Sequence, residues 1–245
     1  MDFEPDLYCP QGRVRLVEDE RRLERLVGLL RGAQVPLTIF VAMKHAERFR
    51  GNLETLCKEI DAELAVHSYS HDTRQPASAD EIARAVDAYG EIWNRKPAGY
   101  RAPNCLIDDA GIERLIGAGF AYDSSITPSL RIDRYGYNRL RYPREPFVFS
   151  TKAGSLVELP IACFGGVRLP LILSYVKMLG AGTYGAIGSI FPLPDVVTVY
   201  FHPYDLYAAE VAGNIRGWKR FAHLRNGRRG FELLAYVIDT LERRG

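Results

Sequence analysis

Short runs of β-branched and aromatic residues recur along this chain at roughly 25- to 40-residue intervals, with amphipathic helical patterns in most of the gaps. The runs PLTIFVAM (36–43), AELAVHS (62–68), AGYRAP (98–103), FAYDSS (120–125), SLVELPI (155–161) and VVTVYFHP (196–203) each end in polar residues. Between them, DERRLERLVGLLRG spaces Leu23, Leu26, Val27 and Leu30 along one helical face. SADEIARAVDAYGEIWN opens with a Ser-x-x-Glu capping box at Ser78 and Glu81, then aligns Ile82, Ala85, Val86, Tyr89 and Trp93. DDAGIERLIGAGF predicts a short helix with a glycine-rich end, and FELLAYVIDTLERR an amphipathic helix that closes the chain. Strand–helix alternation predicts a parallel sheet, and six or seven such units favour an α/β barrel over an open sheet. Residues 127–155, rich in Arg and Tyr, lack clear periodicity and predict a long functional or mobile loop. With no internal repeat or linker, residues 1–245 are expected to form a single domain.

Composition narrows the class. Hydrophobic residues make up 47% of the 245 positions and charged residues 25%, as in ordinary globular proteins. A formal net charge of +2 carries no global polyanion signal, so no nucleic-acid partner is expected. Cys9, Cys57, Cys105 and Cys163 are scattered without a CxxC pair and read as reduced thiols. No apolar run near the N-terminus resembles a signal peptide, which points to the cytoplasm. The most apolar segment, residues 169–194, is broken by Lys177, glycines and prolines. It predicts a buried helix, with peripheral contact at a membrane surface left open, and no transmembrane span.

Polar residues collect where the predicted strands end. Asp2, Glu4 and Asp6 open the chain, His67, His71 and Asp72 follow the second run, and Arg101 and Asn104 follow the third. Asp123 ends the fourth, while His202 and Asp205 end the last. In a β/α barrel the C-terminal strand ends share one face, so these groups would converge there. Taken singly, each has an ordinary structural reading. An HxxxH pair is commonly incidental, although two histidines four apart on a helical turn can meet one cation. Arg101 with Asp123 reads as an ion pair, His202 as a hydrogen-bonded strand end, and Asp2 with Glu4 as a solvated terminus. The joint pattern is what points to chemistry.

The order of these motifs (carboxylates, HSYSHD, GYRAPN, YDSS and a strand-end His) resembles the polysaccharide deacetylases, the chitin-deacetylase-like carbohydrate esterases of family 4. The resemblance runs from Asp2 to about Tyr207, and GFAYDSS, RYGY, LVELPI, FGG and YFHPYDLY are similar to an exopolysaccharide-associated branch. It implies a distorted (β/α)7 barrel and one divalent metal ion, zinc by base rate, with Co2+, Ni2+ or Fe2+ compatible. It further implies His67 and His71 as metal histidines, Asp2 as general base, Arg101 as the residue positioning it, and Asp123 as the residue holding Arg101. His202 would be the general acid, and the Asn104 backbone N–H would help hold the oxyanion. The chain departs from the family's adjacent Asp pair by reading Asp2-Phe3-Glu4, so Glu4 is the expected third ligand and Asp6 the reserve. Only Met1 precedes this motif, so either the true start lies further upstream or the barrel lacks most of its first strand, which would leave Asp2 at a frayed end.

The implied reaction is hydrolysis of an N-acetyl group on a sugar or polysaccharide, with aromatic and Arg side chains of 127–155 available to a glycan. Two rival functions share these motifs. One is hydrolysis of small cyclic amides or ureides; the other is glycan binding by a catalytically impaired relative.

Overall fold

Asp2–Phe3 (β1), Thr38–Val41 (β2), Glu63–Val66 (β3), Gly99–Tyr100 (β4) and Tyr122–Asp123 (β5) pair in sequence order as parallel strands. This computed structural model describes residues 1–245 except 8, 10, 11, 76, 134, 212, 214 and 245. The register sets Asp2 beside Phe40, Val66 beside Tyr100, and Tyr100 beside Asp123. Polar strand ends therefore stand side by side above an apolar layer.

The segment expected as an aperiodic loop, 127–155, contains three strands and leads into a fourth, the one expected at 155–161. Leu130–Arg131 (β6) and Tyr137–Asn138 (β7) form a small antiparallel pair. Phe147–Thr151 (β8) and Gly154–Glu158 (β9) form a hairpin whose second strand joins β5 in parallel. The sheet order is β1-β2-β3-β4-β5-β9-β8. Arginines tie the segment down through backbone carbonyls. Arg139 donates to Cys105, Ser125 and Ile107 at 2.7–2.9 Å, Arg168 to Pro128 and Tyr142, and Arg144 to Cys163 and Pro192.

The run at 196–203 is extended chain, where a regular strand was expected. It nevertheless links the two ends of the sheet. Ala162 N–H donates to Thr198, Leu171 N–H to Ala162, Leu173 N–H to Tyr200, and Asp2 N–H to Phe201. These sparse bonds bridge the two ends of the sheet where no regular ladder closes it, in keeping with the distorted barrel that the resemblance implied. They also overturn the expectation of a frayed Asp2. Backbone bonds from Phe40 N–H to Met1 and from Ala42 N–H to Phe3 hold β1 on its other side, and Asp2 is buried.

The helices are Arg15–Glu18 (α1), Glu20–Ala33 (α2), Arg50–Ile60 (α3), Ala79–Trp93 (α4), Asp109–Ala118 (α5), Leu173–Leu179 (α6), Ala181–Gly188 (α7), Ala208–Val211 (α8), Gly217–Leu224 (α9) and Gly230–Glu242 (α10). In α2 the apolar stripe buries Leu26 and Leu30, with Leu23 and Val27 packed beside them. The Asp108 carboxylate accepts the Gly111 N–H at 2.7 Å to start α5, and Gly119, at φ 84°, ends it in the left-handed conformation that glycine adopts at little cost. The apolar stretch at 169–194 forms two helices broken at Gly180, which is also left-handed at φ 92°. Among the described residues no helix is long and apolar enough to cross a membrane.

Candidate active site

Side chains two apart on a strand share a face. β1 therefore sends Asp2 and Glu4 to one side and buries Phe3 on the other. Across β2, β3 ends in His67, whose N–H continues the ladder to Val41 at 2.8 Å. The chain then turns back on itself, because Ser68 and His71 both take left-handed φ values of 60° and 61°. Their spacing therefore closes through a loop and not through the helical turn that HxxxH allows. Ser68 Oγ accepts the His71 N–H at 3.0 Å, and the two imidazole rings lie 5.0 Å apart.

A residue expected only to cap α4 holds this loop. The Ser78 hydroxyl accepts the Glu81 N–H as a capping box requires. The Glu81 carboxylate, however, accepts from Tyr69 N–H (3.2 Å), Ser70 N–H (2.8 Å) and Ser70 Oγ (2.8 Å). A left-handed residue other than glycine costs about 1–2 kcal/mol, and these bonds offset that strain where His71 must be placed. Asp72 of the same motif faces outward to Arg74 at 2.8 Å.

Glu4, His67 and His71 each turn a ligand-type atom into one space, all within 4.8 Å of one another. Glu4 Oε2 meets His71 Nε2 directly. His67 Nδ1 lies 2.7 Å from the Arg101 carbonyl, which accepts its proton and leaves Nε2 as the bare nitrogen. That Nε2 and Asp2 Oδ2 face each other at 3.5 Å, and both are buried without a hydrogen-bond partner. Orphaned buried polar atoms carry a penalty, and here they border a carboxylate and two imidazoles. The donor set fits one divalent ion with open positions. Burial pushes His67 down to about 4, which keeps it neutral as a ligand. Burial would raise Glu4, but the neighbouring His71 outweighs it and holds the carboxyl at about 2.

Arg101 is buried at the end of β4, and its Nη1 donates to Asp2 Oδ1 at 2.8 Å. Burial favours a protonated Asp2, yet its electrostatic surroundings, with the Arg101 guanidinium hydrogen-bonded to it, prevail and hold it well below the usual carboxylate range. The expected clamp on Arg101 is corrected. Asp123 turns to Ser125, accepting from its Oγ at 2.6 Å and its N–H at 3.2 Å, and lies in register with Glu158. Ser124 instead holds Arg101, through its carbonyl on Nε (2.8 Å) and its hydroxyl on Nη2 (2.7 Å). The alternation that sends Asp123 to one face of β5 sends Ser124 to the other.

Asn104 lies in the short turn after β4 with a left-handed φ of 54°. Asp6, the reserve ligand, stands outside the cluster. Its carboxylate accepts from Tyr207 Oη at 2.7 Å and Arg15 N–H at 3.3 Å.

His202 completes the face from the closing segment, with Nε2 3.4 Å from Glu4 Oε1 and 2.8 Å from Tyr200 Oη. Asp205 accepts from the His202 backbone N–H at 3.0 Å and lies 3.3 Å from its Nδ1. Burial lowers the His202 pKa, but Asp205 and Glu4 more than restore it, and the net shift is upward. Buried Lys177 Nζ sits 3.0 Å from Asp205 Oδ1, which Ser174 Oγ also contacts at 2.6 Å. Tyr204 stacks on the imidazole at 4.5 Å and donates to Glu4 Oε1 at 3.1 Å. Sequence reasoning took Lys177 only as a break in an apolar run. A lone lysine there signals a buried counter-charge, since an unpaired buried ammonium is too costly.

Residues 15–122 match the family described as polysaccharide deacetylase. Among curated proteins, none matches the chain in sequence. In fold it is similar to a Mycobacterium smegmatis protein assigned as a polysaccharide deacetylase, with 20% identity, 98% of this chain and 87% of the other covered, and a TM-score of 0.55. PuuE allantoinase is similar at 14% identity, with 94% and 68% covered and a TM-score of 0.54. A family 4 acetyl xylan esterase from Clostridium thermocellum, in complex with a cobalt ion, is similar at 13% identity, with 100% and 83% covered and a TM-score of 0.51. At such identities these structures speak to the fold alone. Residues 15–122 thus carry the sequence pattern of the polysaccharide deacetylase family, and the chain shares its fold along nearly its whole length with a protein assigned to that activity.

Proposed function

We propose that this protein is a metal-dependent N-deacetylase acting on an N-acetylated sugar or glycan. The observation that carries the reading is the facing pair of partnerless atoms, Asp2 Oδ2 and His67 Nε2, beside Glu4 and His71. A divalent ion held by Glu4, His67 and His71, zinc by base rate, would supply acidified water and charge stabilisation at the acyl oxygen.

The chain's own groups account for the proton transfers. Arg101 occupies Asp2 Oδ1, so Oδ2 is the oxygen left to accept a proton from attacking water. Asp2 must be ionised for that role, and the neighbouring cations favour this state. The backbone N–H of Asn104 would face the developing oxyanion. His202 would donate from Nε2 to the leaving nitrogen, because an amide anion is too basic to depart. Asp205 fixes the ring by its contact with Nδ1, and Lys177 balances the charge of Asp205.

An assay of acetate release from N-acetylglucosamine oligomers, run beside hydrolytic ring opening of small cyclic amides and ureides, tests the substrate class. Acetate from the oligomers alone is expected. Turnover of only the cyclic amides would replace the reading with the ureide hydrolase alternative, and glycan binding with no turnover would favour an impaired relative.

A further inference from the structure

A cleft of about 640 Å³ opens beside the active site. Its walls begin two residues after His71, at Thr73, and two residues after Asn104, at Leu106. At most 3.8 Å per residue separates these positions along the chain, so a sugar in the cleft adjoins one at the catalytic groups. Resting on the deacetylase reading, we infer that this cleft is a subsite for an anionic group, a carboxylate or phosphate, on the glycan unit next to the one that loses its acetyl group.

The charge of the walls carries the inference. Arg74, Arg114 and Arg139 line the cleft; Arg74 is paired with Asp72, which is not among the lining residues, and Asp108 is the acid among them. Asp108 is already committed as the cap of α5. Arg139 is the informative residue. It is 7% exposed, and its hydrogen bonds run to the carbonyls of Cys105, Ser125 and Ile107. Among the described residues no carboxylate pairs with it. Carbonyls satisfy its N–H groups but do not cancel its charge, which is therefore expressed toward the cleft. Arg114 is likewise tied to a carbonyl, that of Ala77, at 2.9 Å. The first residues of α4 and the cap of α5 also border the cleft, so both helix dipoles add positive potential. Tyr137 supplies an aromatic wall, its ring 4.6 Å from the Arg139 guanidinium, against which a sugar face can pack.

The chain as a whole is nearly neutral, at +2, so the three arginines of the cleft are a local feature and not a reflection of overall charge. Arginine's planar fork suits bidentate contact with carboxylate and phosphate.

The test titrates the intact chain with three probes of matched size. They are a neutral N-acetylglucosamine oligomer, an alternating glucuronate–N-acetylglucosamine oligomer, and N-acetylglucosamine oligomers carrying a phosphate. Binding is read by calorimetry and turnover by acetate release. A preference of about tenfold or more for a charged probe is expected, the size of one charge-assisted hydrogen bond. Whether the carboxylate or the phosphate probe leads identifies the source of the anion. In Arg74→Gln/Arg114→Gln the preference ratio should fall toward one, while Arg50→Gln, on the exposed face of α3, should leave it unchanged. Equal binding of neutral and charged probes by the parent, or a preference that survives the double substitution, would overturn the subsite. Absence of acetate from every probe would instead sink the deacetylase reading, and the binding preference would still report on the cleft.

Discussion

Asp2 illustrates how a single residue is set by its neighbours. Burial favours its protonated form, and the adjacent Arg101 guanidinium helps to reverse that outcome. Asp2→Asn keeps the shape but removes the proton acceptor. It is expected to lower kcat by about 100- to 10,000-fold while the chain still binds one equivalent of metal; loss of metal with loss of rate would assign Asp2 a ligand role instead. A second carboxylate shows the opposite balance. Burial first, and then the charge of Asp123, push Glu158 well above its ordinary value of 4.5. The folded chain thus keeps a proton that the unfolded chain releases as pH rises through that value. This contribution to stability is fully present below it and is lost as pH climbs toward the folded-state value. Glu158→Gln is neutral at every pH, so it should gain stability relative to the parent between pH 5 and pH 8. Urea midpoints at the two pH values check this, and a constant difference would contradict it.

At the scale of elements, the active site depends on two packing contacts that lie outside its motifs. α4 anchors the His67–His71 loop through Glu81. Glu81→Gln keeps one acceptor and puts an amide where three donors converge. Metal affinity measured by competition with a chelating dye should fall about tenfold or more, as for other groups that orient ligands. The start of α10 packs on the turn that carries Asp205, where a Cβ at Gly230 would meet the Asp205 carbonyl and the Leu206 backbone. Gly230→Ala should cost about 1–3 kcal/mol, seen as a lower thermal midpoint, and should reduce acetate release because Asp205 moves with the turn. Which elements were legible in the sequence follows from the same physics. β2, β3 and the helices α2, α4, α5 and α10 bury one continuous apolar face, and that face is written in their periodicity. β8 is half-exposed and antiparallel to β9, with Arg, Tyr and Pro before it, so its alternation was masked, whereas β9 was legible in the run at 155–161. The 196–203 run has the composition of a strand, but its partners give it only scattered bonds.

For the molecule as a whole, the convergence of Asp2, Glu4, His67, His71, Arg101 and His202 followed from strand ends sharing one face of a barrel. Contacts between distant segments were not legible. Ser124 displaced Asp123 as the holder of Arg101 because alternation along two residues decides which side chain faces inward, and no local pattern gives the phase. Lys177 reaches Asp205 only once α6 packs against the turn after residues 196–203. The closure itself also places Asp2, since Phe201 and Phe40 bond the backbone on either side of it. The central claim is that Glu4, His67 and His71 hold one ion on which deacetylation depends. It is tested most directly by stripping the purified protein with chelator and titrating zinc while recording acetate release from an N-acetylglucosamine oligomer. Activity should vanish on stripping and return to a plateau at one equivalent, with no return in His67→Ala. Acetate release that persists after stripping, or that recovers equally in His67→Ala, would contradict the account.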